Sequence, residues 1–250
     1  MQPIYWPRAN LKADMPKKPS PSSKQRVSIA SKPNRVARTR PIAPAIPDDL
    51  LDRLAIREIV ENWVLYRDAG DWERFKTVWH DDGYMMATWF QGTHEEFAAI
   101  SKAGMEKGVD ILHFLGGCTI DVAGNRAIAQ TKMSISQRAP VERVVCDVVC
   151  VGRFYDFLEK RKGRWGIVLR RLFYEKDRID PVDPSQSLKL DPEILKRYPV
   201  GYQHLAYLQS GLGFPVKTNM PGLRGPDAER LYGLGRRWLA GKPMDESFHS

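Results

Sequence analysis

The first regular pattern in the chain is a set of apolar side chains at steps of three or four residues. It runs through "PDDLLDRLAIREIVENWVLYRDAGDW", and this spacing is typical of one face of an α-helix. We expect the buried face to contain Leu51, Leu54, Ala55, Ile59, Trp63 and Tyr66. Asp48 and Asp49 lie at the predicted start of the helix, where its dipole favours carboxylates, and Gly70 predicts its end.

Two further helices and a strand are predicted before the pattern changes. A short second helix would place Phe75, Val78 and Trp79 on its inner face, and "YMMATWF" is typical of a strand. Thr93 and Glu96 have the spacing of a capping box, which predicts that a third helix begins there.

From "HFLGG" onward the period becomes that of β-strands. "HFLGGCTIDV" and "RAIAQTKMSISQ" flank the turn "AGN", so they predict a hairpin. "RVVCDVVCVGRFYDFLE" predicts one long strand, and "KRKGR" turns the chain back into "WGIVLRRLFYEKDRI". Helices followed by long antiparallel strands predict an α+β domain, in which a curved sheet packs on the N-terminal helices as a cone-shaped barrel. The open mouth of such a cone is a natural site for a small molecule.

Changes in composition divide the chain into three parts. Residues 1–46 are rich in Pro, Ser, Lys and Arg, which predicts a disordered basic tail. Residues 47–180 form the predicted cone domain. Residues 181–250 begin with the proline-punctuated linker "DPVDPSQSLKLDP" and continue as short helices, and we expect this extension to pack on the main domain or on a neighbouring subunit.

The net charge of +9 belongs entirely to the tail. Residues 1–46 hold ten Lys or Arg and a single acid, so the remainder is neutral. We therefore expect no nucleic acid to bind the folded domain, although the tail could bind an acidic partner, a nucleic acid or a membrane surface, or serve as a linker or transit peptide. No apolar run is long enough to predict a membrane span, and the chain starts without a secretory pattern. We expect a cytoplasmic protein with reduced cysteines.

The words "LYRDAGDWERFKTVWHDD" and "HFLGG" carry a resemblance to a known family. In their order and setting they resemble the SnoaL-like branch of the nuclear-transport-factor-2-like superfamily, and in particular scytalone dehydratase and hexachlorocyclohexane dehydrochlorinase. The resemblance covers roughly residues 48–180. In those enzymes an aspartate at the end of the first helix contacts a histidine on a central strand, and the pair removes a proton from carbon.

The resemblance implies that Asp68 and His113 are the catalytic pair. Histidine titrates near neutral pH and can therefore accept and return a proton. A carboxylate on its other ring nitrogen fixes the tautomer. Arg170 matches an arginine that assists the leaving group in the dehydrochlorinase, although the register leaves Arg171 open. The second histidine of scytalone dehydratase has no counterpart here, since Val148 or Asp147 stands nearest.

Four side chains are predicted to bind substrate around that pair. They are Tyr66, Tyr84, Asp147 and Arg170. Several candidates also have a structural interpretation: Tyr66 as a core residue, Arg170 as a cross-sheet partner of Asp147, and Asp68 as a partner of Arg67. His204 in "GYQHLAYL" is interpreted as a packing or interface residue.

The sequence leaves three hypotheses open. The first is a lyase or isomerase of the dehydratase type that acts on a small hydrophobic substrate, such as a polyketide, steroid, terpenoid or aromatic compound, and that forms a homodimer or homotrimer. The second is a non-catalytic protein of the same fold, either a ligand-binding cone or an assembly subunit like the β chain of ring-hydroxylating dioxygenases. The third is nucleic-acid binding by the tail. No metal site is predicted, because His80, Asp81 and Asp82 are neighbours that rarely converge on one ion, and no glycine motif predicts a nucleotide cofactor.

Overall fold

The computed structural model describes residues 47–249. The α-helices are α1 (Leu50–Ala69), α2 (Trp72–Thr77), α3 (His94–Glu106), α4 (Pro192–Leu195), α5 (Gln203–Gly211) and α6 (Pro226–Leu239), and a short 3₁₀ turn spans Glu246–Phe248. The strands are β1 (Trp79–Met86), β2 (Gln91–Thr93), β3 (Asp110–Ala123), β4 (Arg126–Val141), β5 (Val144–Arg161) and β6 (Arg164–Pro181). The predicted basic tail lies outside the described residues.

The six strands form one mixed sheet in the order β2-β1-β6-β5-β4-β3. All neighbouring strands are antiparallel except β1 and β6, which run parallel. The prediction of an α+β fold with a mostly antiparallel sheet on the N-terminal helices is confirmed. The sheet ends at β2 on one side and at β3 on the other, so the cone is open and not a closed barrel.

The first helix is predicted correctly in extent but not in its buried face. The buried side chains of α1 are Ile56, Val60, Trp63, Val64 and Arg67. Leu51 is 79% exposed and Leu54 is 52% exposed, so the expected face was wrong by about one residue. The helix carries two overlapping apolar stripes. The stripe that packs into the core is the one that also contains the buried Arg67.

The region after the second helix also differs from the prediction. α2 ends at Thr77, and Trp79 belongs to β1, where it pairs with Ile167 of β6. The predicted strand "YMMATWF" is divided between the end of β1 and the segment before β2. Pairing along β6 outweighs the local helical spacing of these residues. The capping box at Thr93 and Glu96, the β3–β4 hairpin and the two long strands are confirmed.

The C-terminal extension covers both faces of the sheet. α5 packs on β4, β5 and β6 on the side of the N-terminal helices, where Leu205 lines the same cavity as Trp63. α6 packs on the opposite face, where Tyr232 contacts Tyr155 with ring centroids 5.7 Å apart. The extension therefore closes the concave mouth and also shields the convex side. None of the helices in residues 47–249 is long and apolar enough to cross a bilayer.

Candidate active site

Asp68 and His113 meet inside the fold, as the sequence predicts. Nδ1 of His113 donates to Oδ1 of Asp68 at 2.8 Å, and the backbone N–H of His113 donates to Oδ2 at 2.6 Å. Asp68 lies in the last turn of α1, which ends at Gly70 in the left-handed conformation (φ 69°). That conformation suits glycine. The carboxylate is thus held at a helix end and aimed at the edge strand β3.

The imidazole is enclosed by aromatic rings. The centroid of the His113 ring lies 5.5 Å from that of Trp63 and 6.3 Å from that of Phe154. Burial lowers the pKa of His113 below its ordinary value of 6.5, even though the contact with Asp68 raises it. Burial raises the pKa of Asp68, but its hydrogen bonds and charge interactions with His113, together with Arg67, hold the pKa of the carboxyl below its usual value. At neutral pH the pair is a neutral imidazole beside a carboxylate, which is the form of a general base.

Arg67, which the sequence suggested only as a partner of Asp68, is also part of this site. It is buried, and its Nη1 donates to Oδ1 of Asp68 at 3.2 Å and to the carbonyl of Ile111 at 2.9 Å. Burial lowers the pKa of Arg67, and the charge of Asp68 opposes that shift. Its position three and four residues after Val64 and Trp63 would have placed it on the buried stripe of α1, had that stripe been identified.

Two adjoining cavities lie beside the pair. The inner cavity has a volume of ≈ 30 Å³, enough for about two water molecules. The polar side chains that line it are Arg67, His113, Gln137, Tyr174 and Gln209, and its apolar wall includes Trp63, Trp89, Phe97, Phe154 and Leu205. The outer cavity, also ≈ 30 Å³, lies beyond Arg67 and reaches Ser101 of α3 and Phe214 after α5. Leu205, Gln209 and Phe214 all come from the C-terminal extension, so the extension completes the site.

Arg170 lies behind the aromatic wall of the inner cavity. Its guanidinium stacks 4.3 Å from the centroid of Trp63 and 3.9 Å from that of Phe154. It pairs in bidentate fashion with Asp156, with Nε to Oδ1 at 2.6 Å and Nη2 to Oδ2 at 2.8 Å. Arg170 is not among the side chains that line either cavity. Arg171, the other candidate in that register, faces the opposite side of the sheet and donates to the carbonyl of Phe248.

The other predicted substrate-binding side chains lie apart from the pair. Tyr66 packs under the guanidinium of Arg74 at 4.9 Å, and Tyr84 contacts the ring of His249 at 4.6 Å. Asp147 forms a bidentate pair with Arg138, with both contacts at 2.7 Å, so the suggested partnership with Arg170 was wrong. None of the three lines the two cavities. Val148, nearest to the missing family histidine, is a fully buried core residue.

Comparison with known proteins places the chain in a family. A family model described as a SnoaL-like domain matches residues 48–171. Pea pathogenicity protein 2 of Fusarium vanettenii is 39% identical over 211 residues, which cover 80% of this chain and 91% of that protein. An uncharacterized protein of Emericella nidulans is 38% identical over 216 residues, with 80% and 91% covered. Among solved structures, a type 3 hexachlorocyclohexane dehydrochlorinase from Novosphingobium barchaimii is 13% identical and covers 57% of this chain and 98% of that one, with a TM-score of 0.45.

The alignments with the two fungal relatives are longer than the matched family domain, since each covers 80% of this chain. The family model itself contains both Asp68 and His113. These matches confirm the resemblance of "LYRDAGDW" and "HFLGG" to that family, and the chain belongs to the SnoaL-like family.

Proposed function

We propose that this protein is a cofactor-independent lyase or isomerase that removes a proton from a carbon atom of a small, mostly apolar substrate. The observation that carries the proposal is the buried contact between Asp68 and Nδ1 of His113 at the wall of a cavity. With Nδ1 committed to Asp68, Nε2 of His113 is the ring nitrogen left to accept a proton. Dehydratase-type elimination is the reaction that the family resemblance favours.

The chemistry follows from the protonation states. Neutral His113 takes the proton through Nε2, and the electron pair of the broken C–H bond moves into the substrate. In an elimination that pair forms a double bond and expels a leaving group, whereas in an isomerisation the proton returns to a different carbon. Asp68 stabilises the imidazolium as it forms, and the lack of bulk water strengthens this attraction. Arg170 has an indirect role. It stacks on the rings of Trp63 and Phe154, and these rings hold the imidazole of His113 in place.

A direct test needs no knowledge of the natural substrate. A panel of small aromatic compounds with acidic C–H bonds is incubated with the protein in D₂O, and exchange of each proton is followed by NMR. We expect catalysed exchange for some members of the panel. The His113→Asn variant should lose about 10²- to 10⁴-fold of that rate, the usual contribution of a general base. Exchange that persists at the full rate in this variant would remove His113 from the mechanism.

The second candidate is a non-catalytic ligand-binding or assembly protein of the same fold. The volume of the inner cavity, ≈ 30 Å³, favours the assembly protein, because pockets for drug-sized ligands measure roughly 300–1,000 Å³. Catalysis therefore requires α5 or α3 to move outward when substrate enters. Compounds of the panel that bind to the protein without any catalysed proton exchange would support the second candidate over the first.

We also propose that the protein forms a homodimer or homotrimer through the outer face of its edge strand. Leu112 is 58% exposed and Phe114 is 74% exposed, and they point away from the cavity on β3. Large apolar side chains that adjoin on one face often mark an interface between proteins. Light scattering coupled to gel filtration should give two or three times the mass of 28.6 kDa, and Phe114→Lys should shift it towards the monomer. A wild-type protein that elutes as a monomer contradicts this proposal.

A further inference from the structure

An open cleft with a volume of ≈ 410 Å³ lies on the face of the sheet that α6 covers, opposite to the face of His113. Side chains of the four neighbouring strands β3 to β6 line it, together with Tyr232 of α6 and Leu223 in the segment before α6. Sites for small molecules measure roughly 300–1,000 Å³. The cleft therefore has a size that neither cavity beside His113 has.

A β-bulge in the edge strand keeps one end of the cleft open. The register of β3 on β4 shifts between Leu115 and Cys118. Two residues of β3, Gly116 and Gly117, therefore lie opposite the single residue Lys132. A Cβ on Gly116 would meet the side chain of Lys132 at 3.2 Å, whereas a Cβ on Gly117 would meet no atom within 4 Å. Beside Gly117 there is thus space that a ligand can occupy.

Two cations and one carboxylate line the cleft. Nε of Arg153 donates to Oε1 of Glu175, and Nζ of Lys132 donates to Oε2 at 2.5 Å. The side chains of Arg153 and Glu175 are 11% and 8% exposed, whereas that of Lys132 is 53% exposed. Because a single carboxylate faces both cations, the residues that line the cleft carry one positive charge without a counter-ion.

The same side chains have hydrogen-bond donors to spare. Arg153 bonds through Nε and Nη1, and its Nη2 has no partner within residues 47–249. Lys132 has three N–H groups and a single acceptor there. Oε1 of Gln130 accepts from Arg153 and, at 3.0 Å, from the hydroxyl of Tyr232, which leaves the NH₂ group of Gln130 able to donate. A ligand that fits these groups accepts several hydrogen bonds and carries a negative charge.

We propose that this cleft binds a small organic anion, namely a carboxylate with an apolar body. The carboxylate accepts hydrogen bonds from Lys132 and Arg153, and such charged bonds are among the stronger ones in proteins. The apolar body packs on the ring of Tyr232 and on Leu223, which is 51% exposed. An inorganic anion leaves these two side chains uncovered, and a neutral molecule leaves the positive charge unbalanced. The cleft lies across the sheet from His113, so this inference goes beyond the proposed function and does not depend on it.

Titration with benzoate tests the inference, with neutral benzamide and inorganic phosphate for comparison. Each probe is added to the deuterated, ¹⁵N-labelled full chain, and the amide signals are followed by NMR. We expect benzoate to shift the amide signals of Gly117, Thr119 and Gln130 and to leave that of His113 in place. It should bind about tenfold more tightly than benzamide, the usual gain from a hydrogen bond to a charged group, and more tightly than phosphate. A tenfold rise in salt should weaken benzoate but not benzamide.

Lys132→Met is the decisive variant, because it removes the unbalanced charge and leaves Glu175 paired with Arg153. The advantage of benzoate over benzamide should fall about three- to tenfold, as for a charged hydrogen bond partly open to water. The melting temperature should stay near that of the wild type, since an exposed ion pair contributes little to stability. Lys107→Met is the control. It makes the same change of charge at an exposed lysine after α3 that does not line the cleft, and it should leave the advantage unchanged.

A second variant tests the apolar wall without touching an ion pair. Leu223→Ala should weaken benzoate about threefold, because it removes apolar surface from the contact, and it should leave phosphate as it is in the wild type. This variant decides the question if Lys132→Met fails to fold. Loss of Leu223 that changes both anions equally would contradict a site for a carboxylate with an apolar body.

The remaining outcomes are equally distinct. Benzoate that binds no more tightly than benzamide or phosphate, signals that shift around His113 instead of Gly117, or an advantage that survives in Lys132→Met overturns the carboxylate site. His113→Asn should retain benzoate binding in the cleft while it loses proton exchange. Failure of the carboxylate site and failure of the proposed function are therefore seen in separate measurements.

Discussion

The fold contains two Asp–His pairs with the same hydrogen-bond pattern. In each, one carboxylate oxygen accepts from Nδ1 of the histidine at 2.8 Å, and the other accepts from the backbone N–H of that histidine at 2.6 Å. The first pair is Asp68 with His113, and the second is Asp177 with His204. In the second pair the same oxygen of Asp177 also accepts from the backbone N–H of Leu205 at 2.9 Å. Hydrogen-bond geometry alone therefore cannot say which pair does chemistry.

The surroundings of the two pairs differ in every other respect. The side chain of His113 is 7% exposed and lines the inner cavity, while that of His204 is 22% exposed and lines neither the inner nor the outer cavity. Asp177 accepts hydrogen bonds from backbone N–H groups at the start of α5, as the side chain of a helix cap does. Asp68 instead faces a buried guanidinium. The comparison teaches that a cavity and a low dielectric, and not the pairing itself, distinguish a candidate base from a structural histidine.

The largest expected difference between the pairs is in catalysis. His113→Asn should lower proton exchange by about 10²- to 10⁴-fold, because Asn cannot accept the proton. His204→Asn, the matched change in the other pair, should leave the exchange rate within about twofold of the wild type. Both rates are measured by NMR in D₂O on the same compounds.

Thermal unfolding of the two variants provides the control for that comparison. Both should unfold cooperatively, which shows that a lost rate is not a lost fold. Equal losses of exchange in His113→Asn and His204→Asn would contradict the difference between the two pairs. Either the second pair would also take part in the reaction, or both variants would lose activity through lost stability.

The fall of the proton-exchange rate at acid pH should follow the protonation of His113 alone. Because burial lowers its pKa below 6.5, the imidazole stays neutral, and active, until the pH falls below that value. We expect exchange to hold through pH 6.5 and then to decline towards tenfold per pH unit below the folded pKa, with the same profile in His204→Asn. A limb centred above pH 6.5 in the wild type would contradict the lowered pKa.

The same shift has a consequence for stability. Below pH 6.5 the unfolded chain binds a proton at this histidine more readily than the folded chain does, so the free energy of unfolding decreases as the pH falls through that window. His113→Asn should remove this part of the slope. Denaturant unfolding at pH 7 and at several lower values measures it.

Asp177 should matter to folding more than to chemistry. Asp177→Ala removes acceptors from the first turn of α5 and should lower the free energy of unfolding by about 0.5–2 kcal/mol, the usual cost of a lost helix cap. Asp183→Ala is the matched control, since Asp183 is exposed and its side chain bonds only to Ser185. Urea unfolding compares the two, and equal stabilities would mean that Asp177 does not secure α5.

The sequence predicted the fold and the contact between Asp68 and His113 better than it predicted the rest of the candidate site. Strand periodicity and the capping box are local signals, and both were confirmed. Asp68 and His113 were found because the sequence segments around them match those of a family. The burial of Arg67 was missed because α1 carries two apolar stripes, and the stripe that contains the exposed Leu51 was taken for the buried one.

Side chains contributed by docking could not be predicted at all. Gln209 and Leu205 reach the cavity only because α5, from outside the family domain, packs across the concave face. Nothing in "GYQHLAYLQSG" specifies that contact. Tyr84 and Asp147 failed to reach the cavity for a related reason: assigning them to the site required the curvature of the sheet and the direction of each side chain, and local spacing supplies neither.

The smallest effects should come from those two residues. Tyr84→Phe and Asp147→Asn leave the cavity lining unchanged, because Tyr84 packs on His249 and Asp147 pairs with the half-exposed Arg138. We expect exchange rates within about twofold of the wild type and stabilities within about 0.5 kcal/mol, as for most surface changes. A tenfold loss of exchange in either variant, with a normal melting temperature, would show that substrate reaches beyond the cavity at His113. The substrate site would then include residues beyond those that line the two cavities.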